Sequence, residues 1–337
     1  VNARYSGIGF FRLSEKGGSM LKYILKRLAL MLFTFFIIMT ICFVLVKLLP
    51  LTPATQFGKD AELILARRKA LGYDKPIIIQ YFIFLNRSLI HGDWGISEKL
   101  YFGQDVWDIF VSKLPATIMV NTYSLVFSIP LGLILGIYAA LKKNKWQDTV
   151  ISTGVMLFIS VPSYVYAFLV QYILCFKLQW FDLTLKAGTD WWSWAMFVSA
   201  VPAVLSLSFS VLAGLTRYTR AELTEVLTGD YMLLARSKGL TRGQAISRHA
   251  LKNAMVPIFP MIIGQIISIL GGSLIIEQIF AIPGVGQLYV SSITSSVPEY
   301  NLFMLLSMFY TFVGLLAGIF VDISYGIIDP RIRMGER

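Results

Sequence analysis

Charged and catalytic side chains are scarce in this chain. Asp, Glu, Lys and Arg make up only 15% of its 337 residues, whereas apolar residues make up 56%. The chain has two histidines and two cysteines, in no spacing typical of a metal site, and it lacks the HExxH, GxSxG and GxxxxGK[ST] signatures. This composition excludes a soluble surface for most of the chain, and it argues against a membrane enzyme and against ATP hydrolysis by the chain itself.

Long apolar runs are abundant, and they indicate that the bilayer is the solvent for most of the chain. A spanning helix needs about 20 mostly apolar residues. We therefore predict an all-α integral membrane protein with six transmembrane helices, at residues 28–49, 117–141, 149–176, 195–215, 256–276 and 302–328. Pro162 predicts a kink in the third span. Cys42 and Cys175 fall inside spans, which predicts free, buried thiols.

The basic residues are distributed unevenly between the connecting segments. Of the 30 Lys and Arg residues, 19 lie in the connecting segments 1–27, 142–148, 216–255 and 329–337. Ten lie in the connecting segments on the opposite side of the membrane, and the remaining one, Lys47, lies in the first span. Because short basic loops resist translocation, this asymmetry predicts that both termini are cytoplasmic. A basic chain can also bind nucleic acid. Here the basic residues flank apolar spans instead of forming one patch, so we expect no nucleic-acid partner.

Ionisable residues are rare within the predicted spans. Lys47 lies near a helix end, and Asp322 lies about two turns inside the cytoplasmic end of the last span. Ion-coupled secondary transporters commonly use buried acids or histidines as relays. Asp322 alone gives little support to an ion-coupled secondary transporter. We keep that class of protein as an alternative function.

The segment 50–116, outside the membrane, is too long for a simple turn and must have structure of its own. Residues 61–71 have helical composition, and Gly72 is placed to end that helix. Pro76 begins a second helix, IIIQYFIFLNRSLI, and a third runs from Val106 through LPAT into the second span.

Residues 1–19 contain neither the apolar core of a signal peptide nor a membrane span. The run MLKYILKRL, from Met20, is a natural beginning because it leads directly into the first span. We therefore interpret 1–19 as an N-terminal extension, either upstream sequence or the product of an alternative start, and 20–337 as a single transmembrane domain.

A basic, glycine-interrupted segment, residues 216–256, separates the fourth and fifth spans. Apolar residues recur at helical spacing over 220–238, which predicts a helix. Gly239 suits the left-handed conformation that ends many helices. Thr241 with Gln244 forms a capping-box pattern that begins the next helix.

This pattern predicts a helical end that faces away from the membrane. Ala235 is small enough for a partner to approach closely, and Lys238 is able to reach one. The pattern is therefore typical of a docking element. From spacing alone, an ordinary cytosolic loop with a C-cap glycine remains open.

Several motifs resemble those of ABC importer permeases, in the form typical of the dipeptide, oligopeptide and nickel branch. ARSKGL followed by RHALKNAMVP is similar to the family's coupling motif, the EAA loop. LGYDKPIIIQY, HGDWGIS and LPAT resemble the branch's outside segment. GGSLIIEQIFAIPGVGQL resembles its fifth span and following loop, and DISYGIIDPRIR its C-terminus. The motifs occur in order from Met20 along nearly the whole chain, and they identify it as similar to the B-type permease subunit.

Two places depart from that pattern. Leu233 and Leu234 stand at the glutamate and first alanine that give the coupling motif its name. Residues 50–53 read PLTP, where the branch commonly reads PGDP.

The resemblance implies a type I ABC importer permease fold in a bacterial cell membrane, with segment 216–256 as the coupling segment of a permease domain. It implies four kinds of partner: a homologous second permease, two cytoplasmic ATP-binding subunits, an extracytoplasmic substrate-binding protein and the lipid bilayer. ATP and magnesium would be bound by the ATP-binding subunits, and this chain would hold no cofactor. The coupling residues would be Ala235, Arg236, Lys238, Gly239, Leu240 and Thr241.

Other residues are candidates for contact with cargo or binding protein. Polar side chains within the third and fifth spans either line the pathway or bond neighbouring helices: Ser160, Ser163, Gln265, Ser268 and Ser273. Glu277 and Trp94 lie in outside motifs, where they would contact the binding protein. For Glu277, contact with a charged terminus of the substrate is an alternative, and a structural cap is an equal one. The cargo expected from the resemblance is a peptide, with nickel, an opine or a signalling peptide as alternatives.

Overall fold

The computed structural model describes residues 12–49 and 53–328, and all the regular elements in these ranges are helices. Thirteen α-helices follow one another as α1 (Arg12–Leu48), α2 (Ala61–Ala70), α3 (Ile77–Leu85), α4 (Val106–Leu141), α5 (Trp146–Ser160), α6 (Ser163–Val170), α7 (Trp194–Thr228), α8 (Asp230–Ser237), α9 (Arg242–Ala245), α10 (Leu251–Ile267), α11 (Leu274–Ile279), α12 (Val285–Thr294) and α13 (Tyr300–Ile328). Single π-helical turns extend α3 and α6 and join α9 to α10, at Asn86–Ile90, Gln171–Lys177 and Ile246–Ala250. Short 3-10 helices lie at Ala54–Asp60 and Ser268–Gly271.

Five stretches of helix are long and apolar enough to cross a membrane, and a bent pair makes a sixth if it is one span. The five are Ile24–Leu48, Val106–Leu141, Trp194–Thr228, Arg242–Ile279 and Tyr300–Gly326. The bent pair is α5 with α6 and its π turn, Trp146–Ser160 and Ser163–Lys177, whose axes meet at 103°. The all-helical prediction is confirmed, and the predicted third span is the one that the structure breaks in two.

Proline explains the position of the break. Pro162 has no backbone N–H to continue the α5 ladder, and its ring forces the residue before it out of helical geometry. Val161 accordingly has extended dihedrals, φ −94° and ψ 129°. The chain therefore bends sharply between Ser160 and Ser163, where the sequence predicted a kink within a continuous helix.

Among the described residues, α4 and α7 form the most extensive helix pair, and small residues let the two backbones approach. A Cβ added at Gly136 would lie 2.5 Å from the Cβ of Thr219 and 2.8 Å from the carbonyl oxygen of Thr216. The Thr216 hydroxyl donates to the carbonyl of Gly132 at 3.2 Å. These contacts form a seam along the bundle that has no space for larger side chains.

The first and last helices, α1 and α13, also pack together, and α10 packs against α13 as well. Asp322 forms an ion pair with Arg27 of α1 at 3.1 Å, so the acid in the last span is paired. At the other end of α1, the Lys47 ammonium lies 3.3 Å from the ring centroid of Tyr73, which holds it against the outside segment.

Cys42 is half-buried and Cys175 is buried, and both are free.

The predictions for the outside segment are confirmed where they fall on described residues. Helix α2 ends at Ala70 and Gly72 has φ +73°, as expected of a helix-terminating glycine. Helix α3 begins after Pro76, and α4 runs without interruption from Val106 through the predicted span. Residues 1–11, the PLTP departure at 50–52 and the C-terminal motif beyond 328 lie outside the described ranges, and α1 already begins at Arg12.

The prediction of one helix over 220–238 is wrong, because the chain breaks at Gly229. This residue has extended geometry, φ −82° and ψ 166°, and it precedes the first turn of α8. The hydroxyl of Thr228 donates to the carbonyls of Thr224 and Glu225, which satisfies two acceptors at the end of α7. Asp230 follows in the first turn of α8, where a negative charge is favourable.

Candidate functional site

Helix α8 ends in a sharp turn built on Gly239, and we call α8, this turn and α9 the Gly239 corner. Gly239 has φ +82°, in the left-handed region that glycine adopts without strain. Its N–H donates to the carbonyl of Arg236 at 2.9 Å, and the N–H of Leu240 donates to that of Ala235 at 3.3 Å. This pair of bonds is the Schellman arrangement, and it confirms the predicted helix end.

The second arm of the corner begins as predicted. The Thr241 hydroxyl accepts from the N–H of Gln244 at 3.4 Å, and the Gln244 side-chain oxygen accepts from the N–H of Thr241 at 3.1 Å. This is a complete capping box. The two helices are thus joined by Gly239 and Leu240, and local hydrogen bonds fix the angle between them.

The outer surface of the corner carries both polar and apolar side chains. Arg236, Lys238 and Thr241 are exposed, as is Gly239. Two large apolar side chains next to them are also exposed: Leu233 at 64% and Leu234 at 58%. These are the positions that depart from the family motif, and here they place apolar area beside two cations.

The inner surface of the corner is a small buried cluster, which corrects the expectation for Ala235. Its side chain is 5% exposed, so a partner does not reach it. It packs in one cluster with the buried side chains Ala140, Leu223, Met232, Ala245, Ala250 and Ala254, and Leu240 packs against that cluster. The small size of Ala235 therefore allows close packing inside the chain. The cluster joins the corner to α4, α7 and α10.

A partly buried ion pair fixes α5 to α7 near the same end of the bundle. Arg220 donates from Nε and Nη2 to the two carboxylate oxygens of Asp148, at 2.5 and 2.7 Å. The Asp148 side chain is 5% exposed and also accepts from the N–H of Asn144 at 3.0 Å. Sequence reasoning missed this pair. Its signal is the acid that closely follows the KKNK turn, since an acid at the start of an apolar helix needs a partner.

Glu277 is buried, and the prediction that it contacts a binding protein is not supported by its position. The residue is 2% exposed. Its carboxylate accepts from the hydroxyl of Thr117 and from the N–H of Gln287, both at 2.9 Å. A Cβ added at Gly284 would lie 2.4 Å from the carboxylate, so glycine is needed for this approach. Glu277 therefore acts as the structural cap that was its alternative interpretation, because it holds the turn at Gly284–Gly286 against α11.

Trp94 is half-buried, and it packs against the core between α4, α12 and α13 instead of projecting freely. Its ring lies 6.2 Å from that of Phe84 in an edge-on arrangement. Asp93 beside it accepts two hydrogen bonds from the Arg87 guanidinium, at 2.8 and 3.0 Å. The HGDWGIS motif is therefore held on the protein by both its aromatic and its acidic residue.

The residue that fastens this outside motif is Glu299, which sequence reasoning missed. Its carboxylate, 1% exposed, accepts from the Ser97 hydroxyl and from three backbone N–H groups. Those N–H groups belong to Glu98, Lys99 and Leu100, at 2.9, 2.6 and 2.5 Å. Its signal in the sequence is an acid directly before the last span, in a loop without Lys or Arg.

The predicted pathway residues divide into two groups. Ser160, Gln265 and Ser268 are exposed on the single chain, and Ser163 is half-buried. The Ser268 hydroxyl donates to the carbonyl of Gly264 at 2.9 Å, within its own helix. Ser273 instead caps α11 by accepting from the N–H of Ile276 at 3.3 Å, a local structural role.

Comparison with known families assigns the chain to a class of membrane transport component. Residues 132–334 match the model of the binding-protein-dependent transport system inner membrane component, and residues 20–121 match the model of the N-terminal part of such membrane components. The chain belongs to this family. It is a multi-pass membrane subunit of a transporter and not an enzyme, and it works with other transporter subunits and a substrate-binding protein.

Within that family, it is similar over nearly its whole length to permeases of several systems. It is 34% identical over 315 residues to the dipeptide transport system permease protein DppB of Lactococcus lactis subsp. cremoris, covering 94% of this chain and 100% of that one. It is 33% identical over 315 residues to the oligopeptide permease OppB of Haemophilus influenzae (93% and 100%). It is 32% identical over 317 residues to the glutathione permease GsiC of Escherichia coli (93% and 99%).

Proposed function

We propose that this chain is one of two permease subunits of an ATP-driven peptide importer with type I architecture. The cargo is proposed from the relatives, whose names refer to dipeptides, oligopeptides and the tripeptide glutathione. The structural observation that carries the mechanism is the Gly239 corner. Its outer surface is exposed, and its inner surface is packed onto helices that cross the membrane.

The corner is the part of the chain on which the two ATP-binding subunits act. Those subunits hold ATP and magnesium, and their movement reaches this chain as a mechanical displacement. Arg236 and Lys238 offer cations for ion pairs, and Leu233 and Leu234 offer apolar area to the same partner. The fixed angle at Gly239 matters because a rigid turn transmits a push that a loose loop would absorb.

The buried cluster behind the corner provides the route into the membrane. It includes Ala140 at the end of α4, Leu223 in α7 and Ala254 in α10. A displacement of α8 is therefore passed to the ends of three spanning helices at once. With both termini and the corner in the cytoplasm, as the basic residues favour, this displacement would turn the pathway between inward and outward opening.

The pathway lies between this chain and the homologous second permease. Gln265 supports this arrangement, because it is an exposed polar side chain on an apolar helix. In a single chain it would face lipid, which is unfavourable for a polar group. Against a second permease it lines a polar path for a hydrated peptide.

A pair of glycine substitutions tests the coupling role. A Cβ added at Gly239 or at Gly243 meets no atom within 4 Å, but only Gly239 has a positive φ. Gly239→Val should therefore distort the corner, at a cost of about 1–3 kcal/mol for a strained left-handed residue, whereas Gly243→Ala should leave it intact. We expect Gly239→Val to lose peptide uptake and substrate-stimulated ATPase activity in membranes that contain the whole transporter.

The control separates coupling from folding. Both variants must reach the membrane at the wild-type level and bind the partner subunits. If Gly239→Val then transports and stimulates ATPase as the wild type does, the corner is not the coupling element. If uptake in the same membranes proceeds with nickel and not with di- to pentapeptides, the peptide assignment is wrong while the coupling proposal stands.

A further inference from the structure

A cleft of about 360 Å³ lies between α5 and the second half of α7. Its α5 wall is mostly apolar, with the side chains of Ile151, Val155, Met156 and Ile159, and it also carries the hydroxyl groups of Ser152 and Ser160. At one end the lining changes to the guanidinium groups of two α7 residues, Arg217 and Arg220. The cleft therefore combines an apolar channel with a cationic end.

The two arginines differ in what they bind. Arg220 is engaged by the carboxylate of Asp148 through two hydrogen bonds. Arg217 is exposed, and among the described residues its side chain forms neither an ion pair nor a hydrogen bond. Residues three apart lie on the same face of a helix, so Arg217 stands beside the neutralised pair with its full charge available.

Other residues place this cationic end at the boundary between membrane and water. The α4–α5 turn is tied to it, since the N–H of Asn144 donates to Asp148. This turn carries two exposed cations, Lys143 and Lys145. Trp146 follows and is 72% exposed, and exposed tryptophan next to an apolar helix favours the level of the lipid headgroups.

We propose that this cleft is a binding site for an anionic phospholipid. One acyl chain lies along Val155, Met156 and Ile159, and the phosphate group binds the guanidinium of Arg217. The apolar wall suits an acyl chain and not a hydrated peptide, and a planar guanidinium matches a phosphate with two parallel hydrogen bonds. A bound lipid would fill the space between α5 and α7 next to the Asp148–Arg220 pair.

Lipid competition on the full chain, purified in its native assembly, tests the proposal. The delipidated protein is incubated with equal amounts of phosphatidylglycerol and phosphatidylcholine that have the same acyl chains, and native mass spectrometry counts the lipids retained. We expect the wild type to prefer phosphatidylglycerol, and Arg217→Gln to lower that preference about fivefold, the usual effect of one basic residue near an anionic membrane. Lys177→Gln is the charge-matched control, because this exposed lysine lies at the other end of the broken span.

A second variant tests the apolar wall without any change of charge. Met156→Trp should fill part of the channel and reduce the retention of both lipids, whereas Arg217→Gln should change the preference between them. A photoreactive side chain at Ile159 should form an adduct with lipid.

Three results would overturn the proposal: no headgroup preference in the wild type, an unchanged preference in Arg217→Gln, or a crosslink from Ile159 to a second protein chain. The last would show that the cleft is a protein interface. If Arg217→Gln cannot be purified, the wild-type preference and the Met156→Trp retention decide the question.

Discussion

The substitution Glu299→Gln tests what holds the outside segment on the last span. One carboxylate oxygen accepts from the Ser97 hydroxyl and from the N–H groups of Lys99 and Leu100, and the other accepts from the N–H of Glu98. Glutamine keeps the shape but makes the first three bonds neutral, with a loss of roughly 1 kcal/mol each. Its amide nitrogen then faces the N–H of Glu98, and an unsatisfied donor costs about 1–3 kcal/mol.

The neutral amide is also cheaper to bury than a carboxylate, which offsets part of this loss. We therefore expect the segment to open about 2–4 kcal/mol more easily, an increase of roughly thirtyfold to a thousandfold in amide exchange. Hydrogen exchange with mass spectrometry on a peptide that contains Glu98, Lys99 and Leu100 measures this directly. Exposed Glu62 supplies the control, because Glu62→Gln makes the same chemical change on the surface of α2.

The reasoning fails if Glu299→Gln protects these amides as well as the wild type does. It also fails if exchange increases uniformly over the whole chain, since the loss should be confined to the outside segment. A rise in exchange near Glu299 with unchanged protection in α4 and α7 is the expected pattern.

Two further predictions concern packing and pH. Gly136→Ala places a methyl group 2.5 Å from the Cβ of Thr219, so overpacking should lower the free energy of unfolding by about 1–3 kcal/mol. Gly154→Ala is the control, because open space surrounds Gly154 and this variant should be neutral or slightly stabilising. The measurement is the thermal midpoint in detergent, and an equal fall for both variants would contradict this prediction. The hydrogen bonds from Arg87 hold the pKa of Asp93 below its ordinary value of 3.8, so the stability from this pair is present above that pH and is lost as the pH falls through the lower, folded-state pKa. The protection factors of residues 86–97, which are exchange rates corrected for the intrinsic rate at each pH, should therefore fall on acidification below pH 3.8. The fall should be smaller in Arg87→Gln, and equal pH dependence of the protection factors in the two proteins would refute the assignment.

The parts of the coupling segment that the sequence predicts correctly depend on neighbours in the chain. The turn at Gly239 and the capping box at Thr241 involve residues at most five positions apart, and the residue types alone imply the bonds. The same holds for Gly72 after α2. The break at Gly229 was missed because the apolar pattern continues across it, although a glycine before an acid is a signal for a new helix.

Two buried carboxylates, those of Glu277 and Glu299, show which contacts the sequence does not predict. Glu277 and Glu299 bond groups about 160 and 200 residues away, so nothing in their local surroundings identifies the partner. Glu277 was a candidate for contact with another protein and Glu299 was not singled out at all, yet the fold buries both. Ala235 illustrates the same point, because its size predicts close packing and does not say from which side.

Helices α4 and α7 approach so closely at Gly136 that an added Cβ would lie 2.5 Å from the Cβ of Thr219. We therefore expect the two helices to move together as one rigid unit during transport. The ladder of main-chain hydrogen bonds is interrupted close to this pair, at Pro162 before α6 and at Gly229 next to the corner, and the chain is able to bend there. Glycine therefore has two opposite structural roles in this protein: Gly136 is closely packed between two helices, and Gly229 is an extended residue where the chain changes direction.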